Sequence, residues 1–303
     1  MTAKYQSGHI LLYHGVFENI PMGLESRLHN VNPIEFRKQI TWLRDQFEIV
    51  SLDDFIAAEN RQGLAVITFD DAYTDLFTHA IPWLISEKLP STIFLNSNLI
   101  DGGIFWRDKV RLVLSKGLEG AFLRYFSQEK WAQQIRSERF YKDSKKPELN
   151  SKLIDQALDD FFAENNFDNE LLDLSKVIAK KDDLIVNPLI SYGNHSASHY
   201  VLSSLSQDQQ REEITSCQAW LNSGEYRTTS SFAVPFGGTK DVDVHTFICA
   251  KEAKCSAVLM SRQSVNRALQ KDPVTQLPIF ERYMAPSTLE GLILLSQKLD
   301  RIS

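Results

Sequence analysis

The chain has 303 residues, of which 43% are hydrophobic and 24% charged, with a formal net charge of −6. That length suits one large α/β domain or two small ones, and the composition is that of an ordinary soluble globule. With no long basic run, nucleic acid and anionic membrane are poor partners for it. Met1 to Gly8 is polar, and the apolar Ile10-Leu11-Leu12-Tyr13 is too short for a signal-peptide core or a membrane span. No integral membrane segment and a cytoplasmic location are therefore expected. Cys217, Cys249 and Cys255 form an odd set without metal-type spacing and read as buried thiols.

Short apolar runs alternate with helical patterns, the mark of repeated β-α units. Ile10 to Tyr13 reads as a first strand. A helix begins at Asn32-Pro33-Ile34-Glu35, with an N-cap, a proline and an early acid, and buries Phe36, Ile40, Leu43 and Phe47. Glu48 to Leu52 reads as a second strand, with Asp53 capping a short helix behind it. Leu64 to Phe69 has the composition of a strand covered on both faces and ends in Asp70-Asp71. A helix over Pro82 to Lys88 and a strand over Ser91 to Asn96 follow. Further strands are expected near Leu184 to Ser191, Thr229 to Val234 and Ser256 to Met260. Helices are expected over Ser206 to Asn222, Val242 to Lys254 and Thr288 to Leu299. From about Ile104 to Asp183 the pattern is helical and polar. Trp106, Val110, Val113 and Leu114 form one apolar stripe there, and Leu153, Ala157, Phe161 and Phe162 a second, so this region reads as an insertion between barrel strands.

Three segments carry chemistry. In Thr68-Phe69-Asp70-Asp71, two adjacent carboxylates at a buried strand end repel unless a cation or a shared proton relieves them; a plain helix cap is the competing explanation. In Gly193-Asn194-His195-Ser196-Ala197-Ser198-His199, two histidines four apart can reach one point if a helical turn joins them, although two unrelated surface histidines would look the same. One aspartate and both histidines would make a triad of nitrogen and oxygen ligands with open positions, suited to zinc or another divalent metal. The second aspartate would then be free to take a proton. Phe232-Ala233-Val234-Pro235-Phe236-Gly237-Gly238 runs from a strand into a rigid turn whose backbone N–H groups can face a cleft.

These segments, in this order, resemble the NodB-homology polysaccharide deacetylases, carbohydrate esterase family 4, over nearly the whole chain apart from the insertion. The resemblance implies a single domain over 1–303, an α/β distorted (β/α)7-type barrel with a helical insertion at about 104–183. The family motif Thr-Phe-Asp-Asp-Gly is matched by Thr68 to Ala72, with Ala72 in place of the glycine. It implies Asp70 as catalytic base and Asp71 as metal ligand, with His195 and His199 of the His-Ser/Thr-x-x-His motif as the other ligands. The third motif, commonly Arg-x-Pro-Tyr-Gly, is met as Ala233-Val234-Pro235-Phe236-Gly237, so the arginine that orients the aspartate in many members is missing. One branch of the family has alanine there, an N-terminal Tyr-His and a late Leu-Pro-Arg-Ile-like segment. Tyr13-His14 and Leu277-Pro278-Ile279-Phe280-Glu281-Arg282-Tyr283 are similar to these. That likeness implies His14 as general acid, with a plain structural role as its alternative, and offers Arg282 as the missing positive charge, with a surface salt bridge as the alternative for Arg282.

The function so implied is metal-dependent removal of an N-acetyl or other acyl group from an amino sugar, with the oxyanion held by metal and the N–H of Phe236. A nucleotide- or lipid-linked glycan precursor is the expected substrate, on the ground of location alone. A hydrolase of small non-sugar amides or ureides, or a non-catalytic binding barrel, are the rivals. Aromatic residues lining an open cleft would favour a sugar, and a closed pocket with arginines a small acid.

Overall fold

The computed structural model describes residues 5–302; of the polar N-terminal segment, Met1 to Lys4 lie outside the described residues. Strand β1 (His9–Tyr13) is followed by helix α1 (Pro33–Gln46), β2 (Glu48–Ile49), α2 (Leu52–Ala57) and β3 (Leu64–Asp70). A π-helical turn leads into α3 (Ile81–Ser86) and then β4 (Ser91–Leu95). Next come α4 (Ser97–Ile100), α5 (Trp106–Ser115), α6 (Glu119–Tyr125), α7 (Phe140–Asp143), α8 (Ser151–Glu164) and α9 (Asp168–Leu174). The chain returns through β5 (Ile190–Asn194), α10 (Gln207–Asn222), β6 (Thr228–Ala233), α11 (Val244–Glu252) and β7 (Ala257–Met260). It ends in β8 (Gln270–Lys271), β9 (Pro278–Glu281), β10 (Tyr283–Met284) and α12 (Leu289–Ile302).

Strands run in the order β10-β1-β3-β4-β5-β6-β7-β9-β8, parallel except for the β8–β9 pair. The continuous run 278–284 is the stave that joins the two edges. Its first part pairs with β7, its second part with β1, and the Arg282 N–H between them donates to Met260 O at 2.9 Å. This is the expected α/β barrel-like fold.

Side-chain alternation explains how the staves reach the site. Ile10, Val66, Phe94, Ala233, Leu259 and Phe280 form a small core inside the ring, closed by Leu52 and Phe55 of α2. Residues one step along, such as Leu11, Tyr13, Ile67 and Phe69, join the larger core under the helices. Counting by twos from that inner core, β1 reaches His14, β3 reaches Asp70 and the closing stave reaches Arg282. Gly193 on β5 is required by the same core: a Cβ there would stand 2.4 Å from the Phe94 ring.

Several local expectations need correction. Only Glu48–Ile49 pairs as a strand, because Ser51 caps α2 and accepts from the Asp54 N–H at 3.2 Å; Asp53 lies in the first turn, where it accepts from Thr229 Oγ1 at 2.7 Å. The strand expected near Leu184 starts at Ile190. Leu153 is 56% exposed, and Ile154 takes its place on the buried stripe of α8. The three cysteines are free and buried.

Candidate metal and acid-base site

Asp70, Asp71, His195, His199, His14, Arg282 and Phe236 gather at the C-terminal ends of the strands. Asp71 (φ 69°) and Ala72 (φ 56°) are both left-handed, and so turn the chain sharply off β3. Here the family motif has glycine where this chain has Ala72, which meets the conformation at a cost of about 1–2 kcal/mol. Ser196 (φ 65°), His199 (φ 59°) and Phe236 (φ 63°) are left-handed too. Strained backbone clustered at one spot is typical of functional sites whose surroundings hold it in place.

The two histidines do not converge through a helical turn, as their spacing suggested. Residues 195–199 form an irregular bend fixed from four sides. Asn96 Nδ2 donates to His195 O at 2.5 Å, and Trp106 Nε1 donates to His199 O at 2.9 Å. The Ser198 N–H donates to Glu213 at 2.8 Å, and the His199 N–H to Ser196 Oγ at 3.1 Å. His195 Nδ1 donates to the Ala233 carbonyl at 2.8 Å, which leaves Nε2 bare and facing the aspartates. Although Ala233 has no side chain to replace the family arginine, its backbone thus orients a histidine.

His195 Nε2 lies 3.6 Å and His199 Nε2 3.4 Å from Asp71 Oδ1. One ligand atom from each of the three residues falls within 4.8 Å of the others, so they could hold a metal ion. Asp71 Oδ1 and His195 Nε2 are buried and have no hydrogen-bond partner among the described residues. Orphaned buried polar atoms are costly, and a shared divalent cation would satisfy both. Burial, followed by the neighbouring Asp70 charge, pushes the Asp71 carboxyl well above its usual range, whereas burial pushes both ligand imidazoles down. Neutral imidazoles and a carboxylate short of positive charge suit that cation.

Asp70 is handled differently. Arg282 is fully buried and binds it with both ends of its fork, Nη1 to Oδ1 at 2.7 Å and Nη2 to Oδ2 at 2.9 Å. Burial alone would raise the Asp70 carboxyl; Arg282, then His195, reverses this and holds it below the usual range. The alternative of a surface salt bridge for Arg282 is therefore wrong.

His14 Nε2 stands 3.9 Å from Asp71 Oδ2, and its side chain is 17% exposed. Burial, partly opposed by Asp70, pushes this imidazole down to about 3. Its ring meets His29 edge-on at 5.4 Å, and His29 Nε2 in turn donates to Ala285 O at 2.6 Å. Phe236 packs edge-on against His199 at 4.7 Å. Next to Pro235 and Phe236, Gly237 (φ 70°) admits no side chain, since a Cβ would lie 2.6 Å from Ser261.

Asp70, Asp71, His14, His29, His195, His199 and Phe236 line a cavity of about 230 Å³. Its opposite wall comes from the segment between β4 and β5: Phe105, Arg107 and Arg111 from the start of α5, and Tyr141 and Lys145 from α7 and the turn after it. Sequence reading places the 104–183 segment beside the mouth of the site, but it singled out none of these wall residues, nor His29. Arg107 and Arg111, four apart beside Trp106 at a helix start, were the wall's one local signal.

A family model described as polysaccharide deacetylase matches residues 183–251, which include His195, His199 and the Pro235–Gly237 turn. Comparison with curated proteins finds no match. Among solved structures, the Streptococcus pyogenes deacetylase PplD aligns with 14% identity and a TM-score of 0.56, covering 97% of this chain and 99% of that one. IcaB from Ammonifex degensii aligns with 16% identity and a TM-score of 0.52, covering 96% and 97%. A polysaccharide deacetylase from Bacillus cereus aligns with 13% identity and a TM-score of 0.55, covering 96% and 69%. The resemblance drawn from the motifs is thus borne out: residues 183–251 match the polysaccharide deacetylase family, and the chain as a whole has the fold of solved polysaccharide deacetylases.

Proposed function

We propose that this protein is a metal-dependent hydrolase that removes an N-acetyl group from an amino sugar. The observation that carries the reading is the division of labour within one carboxylate pair. Asp71 faces two bare imidazole nitrogens, while Asp70 is held by Arg282 and faces the same space. A divalent metal on Asp71, His195 and His199, for which zinc suits the donor set, would supply Lewis acidity to the acyl carbonyl and to water.

The remaining steps belong to the chain. Asp70 accepts the proton of the attacking water, and Arg282 keeps it ionised and aimed, at the expense of some basicity. The Phe236 N–H donates to the oxygen that gains charge as water adds to the carbonyl carbon. Leu12 and Met284, neighbours across the β1–β10 pairing, offer an apolar seat for the acyl methyl. His14 hands a proton to the amine nitrogen as the C–N bond breaks. Because burial keeps it neutral, it first takes up a proton from solvent, which the negative charge developing on the carbonyl oxygen favours, and then passes it to the nitrogen. This role for His14 rests on the likeness to the branch with an N-terminal Tyr-His. The helical segment of about 104–183 works with the barrel as one unit over 1–303.

A glycan precursor in the cytoplasm, nucleotide- or lipid-linked, is the substrate we favour. No helix among the described residues is long and apolar enough to cross a membrane. One observation favours a second reading, a hydrolase of small acidic amides: the arginines and lysine of the cavity wall. A screen of acetylated amino sugars, sugar nucleotides and small N-acetyl acids, with the zinc-loaded protein and an acetate readout, decides between them. Acetate from the sugars supports the deacetylase. Acetate from the small acids alone overturns it.

A further inference from the structure

We propose that the acylated amino sugar taken by this site carries an oxyanion, phosphate or carboxylate, which Arg107, Lys145 and Arg27 hold. The inference deepens the deacetylase reading and rests on it.

Four arginine and lysine side chains line the cavity, and one of them, Arg111, is neutralised within the protein by Asp108. The other three have no carboxylate within ion-pair distance among the described residues. Arg107 is the most telling, because it is 1% exposed. Its guanidinium donates only to neutral oxygens, Ser144 Oγ at 3.0 Å and Tyr141 O at 2.7 Å, and its Nε has no partner. Its planar group lies 4.7 Å from the Trp106 ring, 4.2 Å from Tyr141 and 5.8 Å from Phe236, so it is held in one place. Lys145 Nζ sits 4.2 Å over the other partner ring, Phe236, on the same wall. Burying a guanidinium without a counter-charge is expensive, and a site that does so is poised for an anion brought from outside. A planar fork fixed by aromatic rings beside a mobile ammonium suits phosphate or carboxylate oxygens.

The cavity also has somewhere to send the rest of such a substrate. Arg27 and Tyr141 line both it and a second cleft of about 410 Å³, bordered by Ser26, Glu119, Arg139 and Lys142. A sugar whose acetamido group lies at Asp70 can therefore place its charged substituent against Arg107 and Lys145, with the attached group continuing past Arg27.

The test compares acetate release by the zinc-loaded protein from N-acetylglucosamine, its 1-phosphate, UDP-N-acetylglucosamine and N-acetylmuramic acid, with N-acetylglycine as a sugar-free acid. Pyrophosphate binding is measured by calorimetry in parallel. Charge-assisted contacts of this kind predict a preference of roughly tenfold or more in kcat/KM for the anionic sugars. Lys145→Gln should narrow that ratio, as should Arg107→Gln if it folds. The phosphate and carboxylate arms tell which oxyanion is read. Equal turnover of neutral and anionic sugars, with a ratio unmoved by Lys145→Gln, overturns the proposal while leaving the deacetylase intact. Pyrophosphate binding that Lys145→Gln weakens, with no turnover of any sugar or with turnover of N-acetylglycine alone, keeps the anion site and removes the sugar deacetylase. No pyrophosphate binding together with no anionic preference overturns the proposal.

Discussion

The barrel rim and the helical segment between β4 and β5 face each other across one cavity, and they treat charge in opposite ways. On the barrel side, Asp70 has its charge answered close by, with both oxygens on Arg282, while Asp71 faces the neutral imidazoles of His195 and His199 across the space a cation would fill. On the helical side, Arg107 is as deeply buried yet meets only neutral oxygens and aromatic rings. Groups that do chemistry need a fixed geometry and protonation state before substrate arrives, and nearby partners provide both. Groups that recognise a charged substrate gain by being left short of a counter-ion. On the function proposed above, turnover belongs to the barrel and affinity to the helices.

The sharpest way to break that division is on the aspartates. Asp70→Asn should lose about 10²–10⁴-fold in kcat while still gaining melting temperature on addition of zinc, and Asp71→Asn should lose both activity and the zinc response. Equal loss of the zinc response in the two variants would mean that the pair is wrongly divided.

Arg282→Gln tests the partner of Asp70. Breaking a buried pair from one side costs about 3–5 kcal/mol of stability, readable by urea unfolding. The pH dependence has a definite sign. Arg282 holds the Asp70 carboxyl down in the folded state, so the pair's stability is present above the carboxyl's unfolded pKa and is lost as pH falls through the folded one. In the variant, burial prevails and raises that carboxyl, so the acid limb of kcat should move to higher pH. A limb that stays in place would detach Asp70 from the rate.

His14→Ala should cost on the order of 10²-fold in kcat on an amide and far less on an activated ester, whose leaving group needs no proton. Equal loss on both substrates would leave His14 a positioning role. Ala72→Gly is the mildest change. It replaces a left-handed alanine, and its gain is offset in part by glycine's larger entropy cost, so stability should rise by up to about 1 kcal/mol. A drop in stability would mean that the Ala72 methyl packs better than its backbone suffers.

The same two regions explain what could be read in the sequence. Barrel staves announce themselves, since burial on both faces demands runs such as Leu64 to Phe69 and α1 carries its cap, proline and apolar stripe in order. Motif residues at stave ends were legible because each is a short local pattern. The closing stave was legible only through the family resemblance, which offered Arg282 as the missing positive charge; no local pattern carries that role, because it arises from the β7–β9 and β1–β10 pairings, more than two hundred residues from Asp70. Which residues of the helical wall line the cavity was hidden for a related reason. Its sequence is polar and its elements are tied by ion pairs such as Lys109 Nζ to Asp155 at 2.7 Å, contacts that leave no periodic trace. The bend that joins His195 to His199 rests on Asn96, Trp106 and Glu213, each remote in sequence.

Acetate release from acetylated amino sugars, neutral and phosphorylated, by protein first stripped with a chelator and then reloaded with zinc, tests the central claim most directly. The account predicts turnover that disappears on stripping, returns with zinc in the wild type and stays low in the reloaded Asp70→Asn variant. Turnover that survives complete metal removal, or that Asp70→Asn leaves unchanged, would contradict it.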